Sequence, residues 1–119
     1  MRVERELMRG AGPLAVLKLL DRGEMYGYEL VEAIAQRSDG VLAMGQSTLY
    51  PMLYNLEAKK LIRAVWRESE AGRKRKYYAL TDRGRKRLAT DTKQWEALTA
   101  AMVSMGIIAP PAIGREALA

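Results

Sequence analysis

The stretch QSTLYPMLYNLEAKK, from Gln46 to Lys60, has two chemically different faces when it is wound into a helix. Leu49, Leu53 and Leu56 fall on one side, with the spacing of a stripe that packs on a hydrophobic core. An outer face that served only solubility would carry Lys and Glu, but this one is uncharged and rich in hydroxyl groups, which predicts a large partner at close range. The residues of this outer face are Ser47, Thr48, Pro51, Tyr54, Asn55 and Ala58.

Pro51 limits where this helix can begin. A proline deep in a helix costs about 3 kcal/mol, whereas in the first turn its missing N–H has no intrahelical partner to lose. The sequence therefore predicts a helix that begins near Ser47 or Thr48, with Gly45 or Ser47 as its N-cap.

The composition of the 119 residues predicts one domain with a single core, since nearly half of them are apolar. The chain contains neither cysteine nor histidine, which excludes disulfides, most zinc and haem sites, and catalysis by Ser–His or Cys–His pairs. No two carboxylates stand in a recognisable acid–base setting, and no glycine-rich loop is placed to hold a phosphate. We expect no enzymatic activity, no metal and no cofactor.

Positive charge is concentrated in one segment of the chain. Between Ala58 and Arg87 there are twelve lysines and arginines against three acidic residues, whereas the rest of the chain has a net charge of minus three. A basic block beside an acidic remainder is typical of a polyanion-binding face, because phosphate contacts gain affinity from counterion release. The block adjoins the uncharged helix, so the two features together predict a nucleic-acid surface.

The apolar run GAGPLAVLKLL near the N-terminus is short and contains Lys18. Neither a secretory signal nor a membrane-spanning helix fits this pattern. We expect a soluble, cytoplasmic protein with no membrane partner.

Two further helices are predicted before this stretch. Pro13 suits the first turn of a helix that runs to about Asp21, and a second helix is expected from Tyr26 to Arg37. Residues 1–12 are charged and only weakly periodic, and the sequence leaves open whether the first helix extends into them.

After the third helix the apolar period changes from helical to alternating, which indicates β-strands. LIRAVWRES and RKRKYYAL form a predicted hairpin joined by the turn EAG. Tyr77 and Tyr78 must point to opposite sides of the second strand, and alternation with Leu80 favours Tyr78 as the buried one. The tip and return strand carry the basic run Arg73, Lys74, Arg75 and Lys76.

Three helices followed by a basic hairpin is the element order of a winged helix-turn-helix. The sequence thus predicts a mostly α protein with a small β-hairpin, whose residues 1–80 form a DNA-binding domain. The third helix would enter the major groove, and the hairpin, or wing, would reach the backbone or minor groove. For Tyr50, packing against the hairpin is an alternative to contact with a phosphate. The predicted DNA contacts are Ser47, Thr48, Tyr50, Pro51, Tyr54, Lys59, Arg73, Lys74, Arg75, Lys76 and Tyr77.

A long final helix is expected on residues 81–106, with Thr81 as its cap and Gly106 at its end. Apolar side chains recur along it at heptad positions, which predicts a seam that pairs two copies of the chain about a two-fold axis. The predicted homodimer interface consists of Leu88, Trp95, Leu98, Met102 and Met105.

Trp95 has two alternative roles in this helix. It packs in the dimer seam, or with Leu98 and Met102 it lines a site for a small, flat aromatic effector, since methionine and indole form a deformable apolar surface. Residues 107–119 form a tail that two prolines interrupt, and the sequence leaves its order open.

Three segments resemble the signature segments of the PadR family of bacterial transcriptional regulators, in the family's order and spacing. They are MYGYEL at Met25–Leu30, STLYPMLYNLEAKKLI at Ser47–Ile62 and RKYYALTDRGRKRL at Arg75–Leu88. The resemblance implies a homodimeric winged-helix repressor of the short form, with one C-terminal dimerisation helix. We expect it to bind a palindromic operator in double-stranded DNA and to release it on binding a small aromatic or drug-like compound.

The resemblance also assigns residues. Thr48, Tyr50 and Pro51 match the recognition-helix motif, and residues 74–77 match the wing. Tyr54 departs from the family, which often has a basic residue there, so a hydrogen bond or stacking would replace a phosphate contact.

A winged-helix module for protein–protein assembly, whose basic wing binds an acidic partner, is the rival hypothesis. Binding to a short palindromic duplex would separate the two.

Overall fold

The computed structural model describes residues 1–111, and this part of the chain contains four helices and a three-stranded antiparallel sheet. The predicted fold class is confirmed: a winged helix-turn-helix is followed by a long C-terminal helix. In the sheet, the strand Lys74–Leu80 lies between the strands Met25–Tyr26 and Ile62–Glu68. In chain order, the elements are α1 (Arg5–Leu20), β1 (Met25–Tyr26), α2 (Gly27–Arg37), α3 (Gln46–Ala58), β2 (Ile62–Glu68), β3 (Lys74–Leu80) and α4 (Asp82–Ser104).

The chain divides into two compact units, Met1–Ala89 and the residues from Thr90 onward. The winged-helix elements and the beginning of α4 belong to the first unit, and the rest of α4 belongs to the second. The tail that the sequence left open begins at residue 107, and its residues 112–119 lie outside the described part of the chain.

The core of the first unit contains the apolar stripe of α3. Leu49 and Leu53 are completely buried and Leu56 is nearly so, as their spacing predicted. Tyr78 on β3 is 1% exposed, which confirms that it points inward while Tyr77 stays partly exposed. Full burial of an apolar side chain contributes about 1.5–3 kcal/mol, so this stripe anchors α3 and fixes which face remains outside.

The prediction that the first helix begins at Pro13 is wrong, because α1 begins at Arg5 and contains Pro13 in its interior. Met8 is buried in the core, and Gly12 lies against Met52, where a Cβ atom would come within 2.6 Å of the Met52 Cε atom. These contacts stabilise a helical turn that glycine and proline disfavour locally. Packing between α1 and α3 therefore extends the helix beyond what the sequence pattern showed.

Gly45, one of the two predicted N-caps, is confirmed as the N-cap of α3, but the prediction that Pro51 lies in the first turn is wrong. The helix begins at Gln46 after the N-cap Gly45, so Pro51 lies in the second turn rather than the first. The Thr48 and Leu49 N–H groups both donate to the Gly45 carbonyl oxygen, at 3.1 and 3.0 Å. Because proline has no N–H, Pro51 cannot donate the usual helical hydrogen bond to the Ser47 carbonyl oxygen. Burial of the leucine face of α3 offsets the free energy lost with this hydrogen bond.

Strand β1 was not predicted, because two residues are too few to show an alternating pattern. Met25 and Tyr26 pair with Tyr78 and Tyr77 of β3. Helix α2 begins directly afterwards, and the Tyr26 N–H donates to the Glu29 carboxylate at 3.1 Å. Tyr26, which was expected to begin a helix, therefore also belongs to the edge strand of the sheet.

Thr81 joins the base of the hairpin to α4 and confirms its predicted role as a cap. Its hydroxyl oxygen accepts a hydrogen bond from the Gly84 N–H at 3.0 Å and lies 2.8 and 3.0 Å from the carbonyl oxygens of Lys60 and Leu61. Gly84 packs directly on Leu61, where a Cβ atom would lie 2.1 Å from the carbonyl oxygen. The backbone contact at this point requires glycine.

The far end of α4 has the predicted glycine stop. Gly106 has a φ of 76°, and the Ile107 N–H donates to the Met102 carbonyl oxygen at 2.9 Å. This hydrogen bond satisfies a carbonyl group of the last helical turn.

We predict that Gly84→Ala lowers the free energy of unfolding by at least about 2 kcal/mol, because the added methyl group meets the Leu61 carbonyl rather than a flexible side chain. Urea unfolding followed by circular dichroism measures the change. Lys86→Ala, on the exposed surface of the same helix, is the control and should change stability by less than about 0.5 kcal/mol. Equal stability of Gly84→Ala and the unmodified protein would contradict the close approach.

Candidate nucleic-acid interface

The outer face of α3 is exposed as the sequence indicated. Tyr54 is 58% exposed, and no residue of this face carries a formal charge. Hydroxyl and amide groups at such positions can donate to or accept from phosphates and base edges. The exposed residues are Ser47, Thr48, Pro51, Tyr54, Asn55 and Ala58.

Tyr50 is partly buried and packs against the start of α2. A Cβ atom at Gly27 would lie 2.5 Å from the Tyr50 hydroxyl oxygen, so this contact depends on a glycine. The ring thus packs on α2, whereas the sequence offered the hairpin or a phosphate as its neighbour.

A cleft of about 520 Å³ lies between α3, the start of α2 and β3. Its wall combines phenol rings with two cationic side chains, a composition that suits a phosphate backbone because hydroxyl groups and cations both donate to phosphate oxygens. The lining residues are Tyr26, Gly27, Tyr28, Tyr50, Tyr54, Arg75, Lys76 and Tyr78.

Lys76 connects the wing to α3. Its Nζ atom lies 3.5 Å from Glu57 Oε1, 5.5 Å from the ring centre of Tyr54 and 5.2 Å from that of Tyr78. Burial raises the pKa of the Tyr78 phenol above its usual value, and the Lys76 ammonium acts in the opposite direction. The structure thus gives Lys76 an intramolecular role, and its contact with DNA stays a prediction.

Arg75 and Tyr77 lie on the other face of β3 from Lys76, because side chains alternate along a strand, and Arg75 lines the cleft from the edge of β3 that β1 leaves unpaired. The Arg75 guanidinium lies 4.7 Å from the ring centre of Tyr26, and the Tyr26 and Tyr77 rings meet edge to face at 5.5 Å. Arg75 remains exposed, so the cation–π contact orients it without removing it from solvent.

The wing has charged groups in two different settings. Arg67 donates to the Glu24 carboxylate, and this hydrogen bond lowers the pKa of Glu24. Arg73 and Lys74 are exposed next to the turn, where Gly72 has a φ of 79°. Lys59, the remaining predicted contact, is exposed at the C-cap of α3.

A second basic border of this surface was not predicted from the sequence. Arg5 and Arg9 of α1 line a groove of about 550 Å³ together with Ser47, Thr48 and Asn55 of α3. Their spacing of four residues was a usable signal, but residues 1–12 were not predicted to be helical. The outer face of α3 therefore lies between the wing on one side and these arginines on the other.

Residues 16–90 match the sequence profile of the transcriptional regulator PadR-like family. The chain is also 32% identical, over 93 residues, to a Lysinibacillus sphaericus protein named Uncharacterized protein X, a match that covers 78% of this chain and 85% of that protein. The chain belongs to the PadR-like family of transcriptional regulators. The predicted family is therefore confirmed. Members of this family are transcriptional regulators rather than enzymes, which agrees with the prediction that the chain is not an enzyme.

Other proteins similar to this PadR-like chain are also named as transcriptional regulators. Transcriptional regulator YqjI of Escherichia coli K12 is 33% identical over 97 residues, which cover 82% of this chain but only 45% of that regulator. A Streptococcus transcriptional regulator of known structure is 32% identical, with a TM-score of 0.76, over 87% of this chain and 99% of its own. A PadR family regulator from Eggerthella lenta is 34% identical, with a TM-score of 0.74, over 84% and 85% of the two chains.

Within residues 1–111, no cluster of three or more acidic, histidine or cysteine residues is placed to hold a metal ion. Nor does this range include a helix with the length and apolar character needed to cross a membrane. The candidate site consists of hydroxyl, aromatic and cationic groups.

We predict a measurable coupling between Lys76 and Glu57. In a double-mutant cycle of Lys76→Met and Glu57→Gln, urea unfolding should give a coupling free energy of about 0.2–1 kcal/mol, the range of partly exposed ion pairs. The same cycle with Lys74→Met in place of Lys76→Met is the control and should give none. Coupling that is equal in both cycles would contradict the bridge between wing and helix.

Proposed function

We propose that this chain is a sequence-specific regulator that binds double-stranded DNA with α3 in the major groove and the wing against the backbone. The supporting observation is the exposed, uncharged face of α3 beside exposed cations of the wing. Uncharged hydroxyl and amide groups suit base edges, whereas lysine and arginine at the rim suit phosphates.

The two sets of side chains act differently on DNA in this proposal. Thr48, Tyr54 and Asn55 contact bases or the adjacent backbone from α3, and their contribution depends on the sequence bound. Arg73 and Lys74 contact phosphates, so their contribution is independent of sequence and falls with salt. The arginines of α1 extend the phosphate contacts along the same groove.

Selection from a random duplex library, followed by binding measurements over a range of salt concentrations, tests this proposal. Lys74→Ala should weaken binding to all duplexes alike and shrink the salt slope by roughly 0.9, the value for one lost phosphate contact. Thr48→Ala should instead alter sequence preference and leave the slope unchanged. Failure to select any duplex, or equal changes of slope in both variants, would count against the proposal.

We further propose that the chain acts as a homodimer through the second half of α4. Of the predicted seam, Leu88 is already buried in the core of the first unit, whereas Leu98 is 45% and Met105 76% exposed, and exposed apolar side chains at heptad spacing need a partner to be buried. A two-fold dimer presents two copies of α3, which suits a palindromic operator with half-sites about 34–36 Å apart.

The finer proposal is a repressor, acting on cytoplasmic DNA, that releases its operator when a flat aromatic effector binds at the seam. Trp95, Leu98 and Met102 supply the indole, aliphatic and thioether surfaces that such a ligand prefers. A ligand between the paired helices would bias the spacing of the two α3 helices, and that spacing must match the operator.

One substitution tests the dimer and the effector site together. Leu98→Lys places a charge in the seam, so sedimentation should show a monomer at micromolar concentration and DNA binding should weaken although the DNA face is unchanged. In the Trp66→Tyr background, planar phenolic compounds should quench Trp95 fluorescence, and Leu98→Lys should abolish that quenching. A monomeric parent protein would contradict the dimer, and quenching that survives in the monomer would contradict the shared site.

A further inference from the structure

Trp66 is exposed on a strand face that is buried at its other end. The residues of this face on β2 run from Ile62, which is 2% exposed, through the partly buried Ala64 to Trp66, which is 64% exposed. The indole of Trp66 thus lies on β2 beyond the edge of the core. Aromatic side chains stabilise a fold when they are buried, and an indole exposed to water makes no such contribution. Packing of the core therefore does not explain the position of Trp66.

The strand register places this indole on the side of the wing that faces α3. Trp66 pairs with Lys76, and Ala64 pairs with the buried Tyr78. Residues directly opposite each other on antiparallel strands share a face of the sheet. Because Lys76 reaches Glu57 and the ring of Tyr54 on α3, Trp66 lies beside the contact between wing and recognition helix.

The surroundings of the indole combine apolar and cationic character. A surface groove of about 540 Å³ is lined by Trp66, Arg67, Glu68 and Lys74. Glu68 lies opposite Lys74 across the strands and Glu24 binds Arg67, so these four charges cancel, but the surrounding wing, residues 67–76, carries five lysines and arginines against two glutamates. A matching partner therefore presents an apolar surface and anionic groups side by side.

We propose that Trp66 is a DNA-contacting residue whose ring packs on the deoxyribose groups that wall the minor groove, next to the phosphates that Lys74 contacts. The sugar–phosphate backbone alternates carbon-rich rings with anions, which is the pattern that the groove fits. The indole N–H adds a donor for a phosphate oxygen or a minor-groove acceptor. The assignment rests on the proposed function, since it names an additional contact of the same DNA surface.

Fluorine NMR tests the assignment directly, with 5-fluorotryptophan incorporated into the chain without any other substitution. The chain contains two tryptophans, and the Trp66→Tyr variant identifies the Trp66 resonance. Addition of a selected duplex should shift this resonance and reduce its difference between H2O and D2O, because the ring leaves solvent. A duplex that binds without changing the Trp66 resonance would overturn the inference and leave the proposed function standing, whereas a chain that binds no duplex overturns both.

Binding measurements separate a ring contact from a charge contact. Trp66→Ala should weaken duplex binding by roughly tenfold at every salt concentration, as for other aromatic contacts with nucleic acids, and leave the salt slope unchanged. Lys74→Ala, the matched control on the same groove, should change the slope by roughly 0.9. Unaltered affinity of a folded Trp66→Ala protein would overturn the inference, as would equal protection of the Trp66 resonance by polyglutamate, which would indicate an acidic protein partner.

Discussion

The backbone contact of Gly84 with Leu61 is the constraint on which the geometry of the wing depends. Leu61 precedes β2 and Thr81 follows β3, so the hydrogen bonds of Thr81 to this segment close the hairpin at its base. This closure places Ile62 opposite Leu80, and that first pair determines every other pair between β2 and β3 up to the turn. A slip of one residue would move each side chain to the other face of the sheet. The glycine and the threonine thus determine which wing residues face α3.

That register separates two groups of wing side chains. Tyr78, Lys76 and Trp66 share the face towards α3, while Arg75 and Tyr77 lie on the other face beside Tyr26. The charges of the wing are therefore not equivalent, although they are consecutive in the sequence. A lysine bound to Glu57 positions the wing, whereas an exposed lysine at the turn is available to a phosphate. Members of the PadR-like family are transcriptional regulators, and in the DNA contact proposed above the register indicates which wing cations bind phosphates and which one holds the wing to α3.

The chemistry of α3 complements that of its borders. A charged recognition face would bind any phosphate strongly, because electrostatic attraction carries little sequence information. Here the helix is neutral, and cations lie on the wing and on α1 at its two sides. In the proposed DNA complex this arrangement separates affinity from selectivity, and the uncharged side chain of Tyr54 extends the neutral face.

The sequence by itself determined the order of the four helices and the hairpin, the buried stripe of α3, the inward direction of Tyr78 and the family, because each depends on local periodicity or a local motif. The tertiary structure decided the extent of α1, the strand at Met25, and the partner of each wing cation. Residues far apart in the sequence settle these features: Gly12 meets Met52, and Lys76 meets Glu57. Their energies come from packing and from charge proximity, which no periodicity within a single segment records.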